Sequence, residues 1–316
     1  MISSEIKREI TRLLAENSPF AAFRMPGEPP VLVTEGDGIS FVATPWLGKP
    51  FDSDVIPDTT DRDTYLSRLS WLIGQLKQRV RSKTLLSRIF GAIYNNVKWA
   101  DAAELLWDEF PEAFGFIFNS PSCGAWLGAT PETLLKVGVD GRFSTQALAG
   151  TLPADMDWDE KNRLEQQIVA DYIGNILKNK GIEFTTTGPD SVRFGSIKHL
   201  STAFDGILPE NVDIKALLGE LAPTPALAGF PKDAALADIS LLEQHNRGCY
   251  GGYVTVSSDK GSYSFVTIRC VQFDPRSGKA AVYAGGGITP DSVPEVEEKE
   301  TRLKASRLMQ ILDSLN

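Results

Sequence analysis

Between Glu297 and Leu315 the chain carries a stripe whose first half is charged. Stepping by three or four residues from Glu297 reaches Glu300, Lys304, Leu308, Ile311 and Leu315. At about 100° per residue these positions share one side of a helix. The apolar end of the stripe should face a core, so the two acids and the lysine should face inward with it. The opposite sector, Glu295, Glu298, Lys299, Arg302, Ser306 and Asp313, is predicted to be solvated. A second stretch, 157–179, repeats the oddity. Glu165 shares a stripe with Trp158, Lys161, Ile168, Val169, Tyr172 and Ile176, while Arg163, Gln167, Ala170 and Gly174 fall on the far side. An isolated buried carboxylate is costly and would take up a proton. Two arrangements relieve that cost. All-oxygen ligation of a divalent cation suits Mg²⁺; salt bridges to Lys161 and Lys304, each within reach on its own helix, are the alternative.

Other chemically able residues stand on shorter segments. Lys83 opens "KTLLSRIF", which reads as a strand with Lys83, Leu85, Ser87 and Ile89 on one face. It is either an edge charge that discourages strand pairing or a reactive amine. Glu132 in "GATPETLLK" sits in a turn before a strand, where a solvated loop acid is the plain alternative. Arg269 in "VTIRC" lies in an apolar strand, as a core-edge residue or as a bidentate carboxylate clamp. His199 in "IKHLST" reads as a satisfied core histidine or a site residue. "ALAGT" (147–151) and "AGGGI" (284–288) are glycine-bearing strand ends that would let a carboxylate approach backbone N–H groups. Neither sits in a P-loop or dinucleotide context.

Helical patterns near 3–16, 61–79, 100–110, 157–179, 213–219, 232–245 and 294–314 must position these groups, together with many short β-segments. The β-segments are 20–24, 30–34, 38–43, 84–90, 114–119, 123–128, 134–139, 142–148, 182–187, 191–194, 196–206, 250–257, 262–273 and 279–285. Several pair through glycine-containing turns, as in "LLKVGVDGRFST" and "VTVSSDKGSYSFV", which read as antiparallel hairpins. The expected fold class is α+β, with large antiparallel sheets packed face to face and helices outside, in a single domain spanning 1–316.

With 316 residues the chain can bury a sizeable core, and its 42% hydrophobic and 23% charged residues are ordinary for a globular protein. A net charge of −9, with no basic cluster to offset it, argues against nucleic acid as partner. No apolar run approaches the roughly 18 residues of a membrane span, and "MISSEIKREITRLL" reads as an amphipathic helix, not a signal peptide. Cys123, Cys249 and Cys270 lack metal-ligand spacing, so a cytoplasmic protein with free thiols is expected. His199 and His245 are the only histidines, and no nucleophile-elbow motif accompanies them. Acid–base chemistry here should therefore use Lys and Glu. No amphipathic helix is left over for an obligate interface, so a monomer is expected.

The order of the segments is more specific than any one of them. KTLLSR, GATPE, ALAGT, an acid-bearing helix, KHLST, ELAPTPALAGFP, RGCYGG, VTIRC, AGGGI and SVPxxExxET in series resemble the chorismate-utilising enzymes. The resemblance covers about residues 80–312, and the first 75 residues look like a shortened form of the family's N-terminal portion. Within the family, Lys83, Ala149 and the ELAPTPALAGFP loop resemble the isochorismate synthases. Anthranilate synthases carry a different residue in place of Lys83, aminodeoxychorismate synthases have lysine in place of Ala149, and the loop of the ammonia-using enzymes ends in GAPK. Three departures stand out: Gln166 follows Glu165 where histidine is usual, no arginine follows LAGT, and Glu298 replaces a tryptophan.

The resemblance implies an Mg²⁺-dependent, reversible conversion of chorismate to isochorismate, moving a hydroxyl from C4 to C2. Lys83 would deprotonate the water attacking C2, and Glu132 would protonate the departing hydroxyl. Those roles require a neutral lysine and a protonated glutamate, and burial works in both directions. Arg269 and Tyr250 would hold the enolpyruvyl carboxylate with N–H groups near Gly285 and Gly287. Glu165 and Glu300 would hold Mg²⁺ against the ring carboxylate, Glu297 directly or through water, with Lys304 alongside. Gly150 would let the backbone approach the ring, Thr151 would place a hydroxyl or water, and His199 would orient. The product would feed menaquinone or a catecholate siderophore. Rival readings are a salicylate synthase, an ammonia-using subunit with a glutaminase partner, and a non-catalytic chorismate-binding homologue.

Overall fold

The computed structural model describes residues 1–316 except Glu35, Arg81 and Ser196. In chain order the elements are α1 (Ser4–Ala15), β1 (Phe20–Arg24), β2 (Val31–Val33), β3 (Ser40–Thr44), α2 (Arg62–Leu76), β4 (Lys83–Ile93), α3 (Trp99–Glu109), β5 (Phe114–Ser120) and β6 (Gly124–Thr130). There follow β7 (Thr133–Gly138), β8 (Arg142–Pro153), α4 (Glu160–Asn179), β9 (Phe184–Phe194), β10 (Ile197–Ile207), α5 (Ile214–Leu221), β11 (Gly229–Phe230) and α6 (Lys232–Leu242). The chain ends with β12 (Tyr253–Ser258), β13 (Gly261–Val266), β14 (Cys270–Phe273), β15 (Lys279–Ile288) and α7 (Pro294–Leu315).

All the strand pairings are antiparallel, and they build two sheets. The first runs β11-β4-β15-β14-β6-β5-β1-β2 and the second β3-β12-β13-β7-β8-β10-β9. Apolar residues from both meet in one core. Phe114 of the first sheet stacks on Phe265 of the second, ring centroids 4.1 Å apart, within a cluster that also takes in Phe23, Leu135, Phe143 and Val254. The other face of the first sheet is covered by α1, α3 and α7 through residues such as Ile10, Trp107 and Leu308. Helix α4 lies against β8 and β10. This is the predicted α+β architecture of face-to-face antiparallel sheets with outer helices. The N-terminal residues complete both sheets, β1 and β2 in the first and β3 at the edge of the second. None of the helices among the described residues is long and apolar enough to cross a membrane.

Local rules set the helices that matter for the site. Asp159 caps α4 by accepting from Asn162 N at 2.8 Å, and Pro294 opens α7 with Glu295 and Glu297 in its first turn. Proline at the first helical position loses no hydrogen bond, and acids there face the positive end of the helix dipole.

Four expectations are corrected. The predicted strand 262–273 is two strands in different sheets, because the chain leaves β13 and enters β14 through Thr267–Arg269, with Arg269 in the left-handed region (φ 51°). The separate segments 182–187 and 191–194 are one strand, β9. It absorbs Gly188 and Pro189 at a register shift on an exposed sheet edge, where proline's missing donor costs no ladder bond. The neighbouring strand was expected from 196, and Ser196 lies outside the described residues. Glu298 is not solvated. It is buried, takes Arg88 Nη1 at 2.9 Å and Arg302 Nη2 at 2.5 Å, and so ties α7 to β4. Gly174, assigned to the exposed side of α4, is buried near Phe204 and Phe184.

Candidate active site

Among the links that carry the chain between the sheets, two deliver a charged residue to the same place. Pro131–Glu132 joins β6 to β7, and Thr267–Arg269 joins β13 to β14. The links are bonded to each other's surroundings: Val266 N donates to Glu132 O at 3.0 Å, and Ala129 N donates to Arg269 O at 3.3 Å. A left-handed backbone at a non-glycine residue costs of order 1–2 kcal/mol and persists only where the surroundings over-determine it. Here that conformation turns the Arg269 side chain into a cavity of about 70 Å³.

Glu132, Gly150, Thr151, Glu165, His199, Tyr250, Arg269, Gly285, Gly287 and Lys304 all line this cavity, among apolar residues including Leu85, Leu148 and Ile268. They come from three strands, two helices and three connecting segments, so the tertiary fold alone assembles them. The apolar wall and Asn162 were not singled out in the sequence. The wall is indistinguishable there from ordinary core. The buried position of Asn162, three residues before Glu165, carried no chemical signal of its own. Asn162 Oδ1 accepts from Thr151 N at 2.9 Å and thereby joins α4 to the end of β8. Gly150 makes that joint with φ 76°, and a Cβ there would stand 3.0 Å from Asn162 O.

Lys83 lies just beneath the cavity. It is fully buried in β4, between β11 and β15, so it is not an edge charge. Its Nζ is 2.9 Å from Glu165 Oε1. Gly287 permits this meeting, since a Cβ there would collide with Glu165 Oε1 and come within 2.8 Å of Lys83 Cε. Gly287→Ala is therefore expected to destabilise the protein by about 1–3 kcal/mol through overpacking. Any catalytic turnover should also fall at least tenfold. A variant that matched the wild type in both urea titration and turnover would contradict this packing argument.

Burial raises the Glu132 carboxyl to about 8 against the opposing pull of Lys83 and Lys304, so it is a protonated acid at neutral pH. It is buried, not the solvated loop acid of the alternative reading. Burial also works to raise Glu165, but Lys83 and Lys161 outweigh it and hold that carboxylate down at about 2. His199 Nε2 faces Arg269 Nη2 at 3.1 Å, and because a guanidinium can only donate, Nε2 must accept. Nδ1 then carries the hydrogen and donates to Gly150 O at 2.9 Å, with Thr151 Oγ1 at 3.2 Å. Burial, reinforced by Arg269, lowers this ring to about 3. Neutral and committed at both nitrogens, His199 orients Arg269 and does not exchange protons.

The inward acids of α4 and α7 face one another. Lys161 Nζ lies 3.0 Å from Glu297 Oε1 and 3.8 Å from Glu165 Oε2, while Lys304 takes Glu300 at 2.6 Å and Gly285 O at 3.0 Å. Both lysine bridges anticipated from spacing are thus present, although Lys161 reaches across to the second helix as well. As they stand, no three acids among the described residues gather tightly enough to ligate one ion. One observation goes beyond ion pairing: Glu297 Oε2 is buried without a hydrogen-bond partner. Burial and the nearby Glu300 raise the Glu297 carboxyl accordingly. An orphaned carboxylate oxygen in an all-oxygen set fits a hard divalent cation.

An α+β sandwich with a buried lysine, a protonated buried glutamate and an oriented arginine around one small cavity is an acid–base enzyme for a small carboxylic acid. A family profile described as chorismate binding enzyme matches residues 49–313, and the chain belongs to that family. It is 30% identical over 277 residues to isochorismate synthase EntC of Escherichia coli, covering 82% of this chain and 69% of that protein. It is 32% identical over 270 residues to the salicylate biosynthesis isochorismate synthase of Pseudomonas aeruginosa, covering 81% of this chain and 56% of that one. The crystal structure of MenF, the menaquinone-specific isochorismate synthase from Escherichia coli, superposes with a TM-score of 0.80 at 19% identity, over 96% of this chain and 91% of that chain.

Proposed function

We propose that this chain is an isochorismate synthase. The observation that carries the reading is the pairing of a buried amine, Lys83, with a carboxyl held protonated at neutral pH, Glu132, around a cavity floored by Arg269. Chorismate is a dicarboxylate. Arg269, oriented by His199, and Tyr250 would take its enolpyruvyl carboxylate, beside the strand end whose Gly285 and Gly287 line the cavity. Mg²⁺ bound by Glu165, Glu297 and Glu300 would supply positive charge against the ring carboxylate and relieve the crowding of acids.

Once its ion-pair proton has been given up to solvent, the neutral Lys83 Nζ takes a proton from the water that adds at C2, and Glu132 gives its proton to the oxygen leaving C4. One water enters and one departs, so the reaction is an isomerisation, and solvent exchange returns Lys83 and Glu132 to their starting states. Substrate and product carry the same functional groups, which makes the reaction reversible. Gly150 and Thr151, fixed by Asn162, position the ring beside these groups.

The test is to incubate purified protein with chorismate, once with Mg²⁺ and once with EDTA, and to resolve the products by chromatography. Isochorismate formed only with Mg²⁺ is the expected result. Salicylate and pyruvate would reassign the protein as a salicylate synthase, and absence of any product would overturn the reading.

A further inference from the structure

A second cavity, of about 480 Å³, lies on the other side of the wall made by Arg269, Tyr283 and Lys304. These residues line both spaces, so the larger cavity adjoins the reaction site directly. Its charged lining is Arg193 at the end of β9, Arg269, and Lys304 and Arg307 of α7, against the single carboxylate of Glu109 at the end of α3. Arg307 Nη2 is paired with that Glu109 at 2.7 Å. Arg193 donates Nε to Gly195 O at 2.8 Å and has no carboxylate partner among the described residues. Phe194, stacked on Phe110 with centroids 4.1 Å apart, forms an apolar floor, and the Arg269 guanidinium lies 5.1 Å above its ring.

This local excess of positive charge belongs to a chain with a net charge of −9, which as a whole repels a dianion. The approach along α4 and α7 offers such a ligand no comparable excess, because it leads past Glu165, Glu297 and Glu300, each paired with a lysine. A concave surface of one sign focuses field lines and raises the local concentration of an oppositely charged ligand. We propose that the larger cavity is the entry vestibule for the dicarboxylate substrate, and that Arg193 and Arg307 are steering residues that never touch the reacting atoms. Substrate then reaches the reaction site past Arg269 and Lys304, while the cation approaches from the acidic α4–α7 side. The assignment deepens the proposed function and rests on it.

The experiment measures kcat/KM for chorismate against ionic strength in the wild type, Arg193→Glu, Glu109→Gln and Arg142→Glu. Arg142 is exposed at the far end of β8, so its variant makes the same change in net charge away from the vestibule. Arg193→Glu is expected to lower kcat/KM about tenfold at low salt and to flatten its salt dependence, with kcat within about twofold of wild type. Glu109→Gln frees Arg307 and should raise kcat/KM under the same conditions. Convergence of all variants at high salt supports the proposal. If Arg193→Glu behaves like Arg142→Glu while the wild type turns over normally, the vestibule is overturned and the enzyme assignment stands. If the wild type shows no turnover of chorismate, both fall.

Discussion

Lys83→Met is expected to lower kcat for isochorismate formation about 10²–10⁴-fold, the range for loss of a positioned general base. The same substitution removes one partner of a buried ion pair. Lys83 is fully buried, and its Nζ stands 2.9 Å from Glu165 Oε1. Breaking such a pair from one side costs about 3–5 kcal/mol when the remaining charge finds no other partner. Here Lys161, 3.8 Å from Glu165 Oε2, offers partial compensation, so the loss should fall below that range. Two effects in one variant would blur the test, and Lys83→Arg separates them. A guanidinium keeps the charge opposite Glu165 but does not deprotonate in a protein. The arginine variant should therefore be more stable in urea than the methionine variant and equally inactive. Chorismate binding by calorimetry should persist in any variant that remains folded. Turnover by Lys83→Arg within tenfold of wild type would remove Lys83 from the role of base.

Glu132→Gln should cost a comparable 10²–10⁴-fold in kcat, because glutamine cannot donate the proton that the departing C4 oxygen needs. The pH profile supplies an independent check. The Glu132 carboxyl is raised from 4.5 to about 8, chiefly by burial, and the reaction requires its protonated form. Wild-type activity should accordingly decline as the pH rises through about 8. The sign for stability is the same. A carboxyl whose proton is held more tightly in the folded state contributes fully below its unfolded value. That contribution is lost progressively as the pH climbs from about 4.5 through about 8. Glutamine carries no such penalty. The thermal midpoint of Glu132→Gln should exceed that of the wild type at pH 8.5, with the gap closing toward pH 5. A flat wild-type profile between pH 7 and 9.5 would mean that Glu132 is not the acid.

Periodicity and turn chemistry made much of this molecule legible before any fold was known. The seven α-helices among the described residues and the antiparallel hairpins follow from apolar spacing and glycine-bearing turns, which are local properties of the chain. The two inward acidic stripes were also legible, because a charge on an apolar face is visible in spacing alone. The ordered motifs pointed to the chorismate-binding enzymes, and the family match bears that out. What spacing left open was the partner of each charge. Lys83 read equally as an edge residue until β11 and β15 were seen on either side of β4, and Glu132 read as a solvated turn. Arg269 read as part of one strand, yet it stands where the chain changes sheets, a break set by packing across the sandwich and invisible to a window of neighbours. Glu298 read as solvated because its partner Arg88 is 210 residues away in the chain. The helices, the hairpins and the presence of buried charge were determined by the sequence through local periodicity. Which charges meet, which carboxyl keeps its proton, and which cavity adjoins the reaction site were decided only by tertiary structure, because burial and electrostatic coupling depend on distances between segments far apart in the chain.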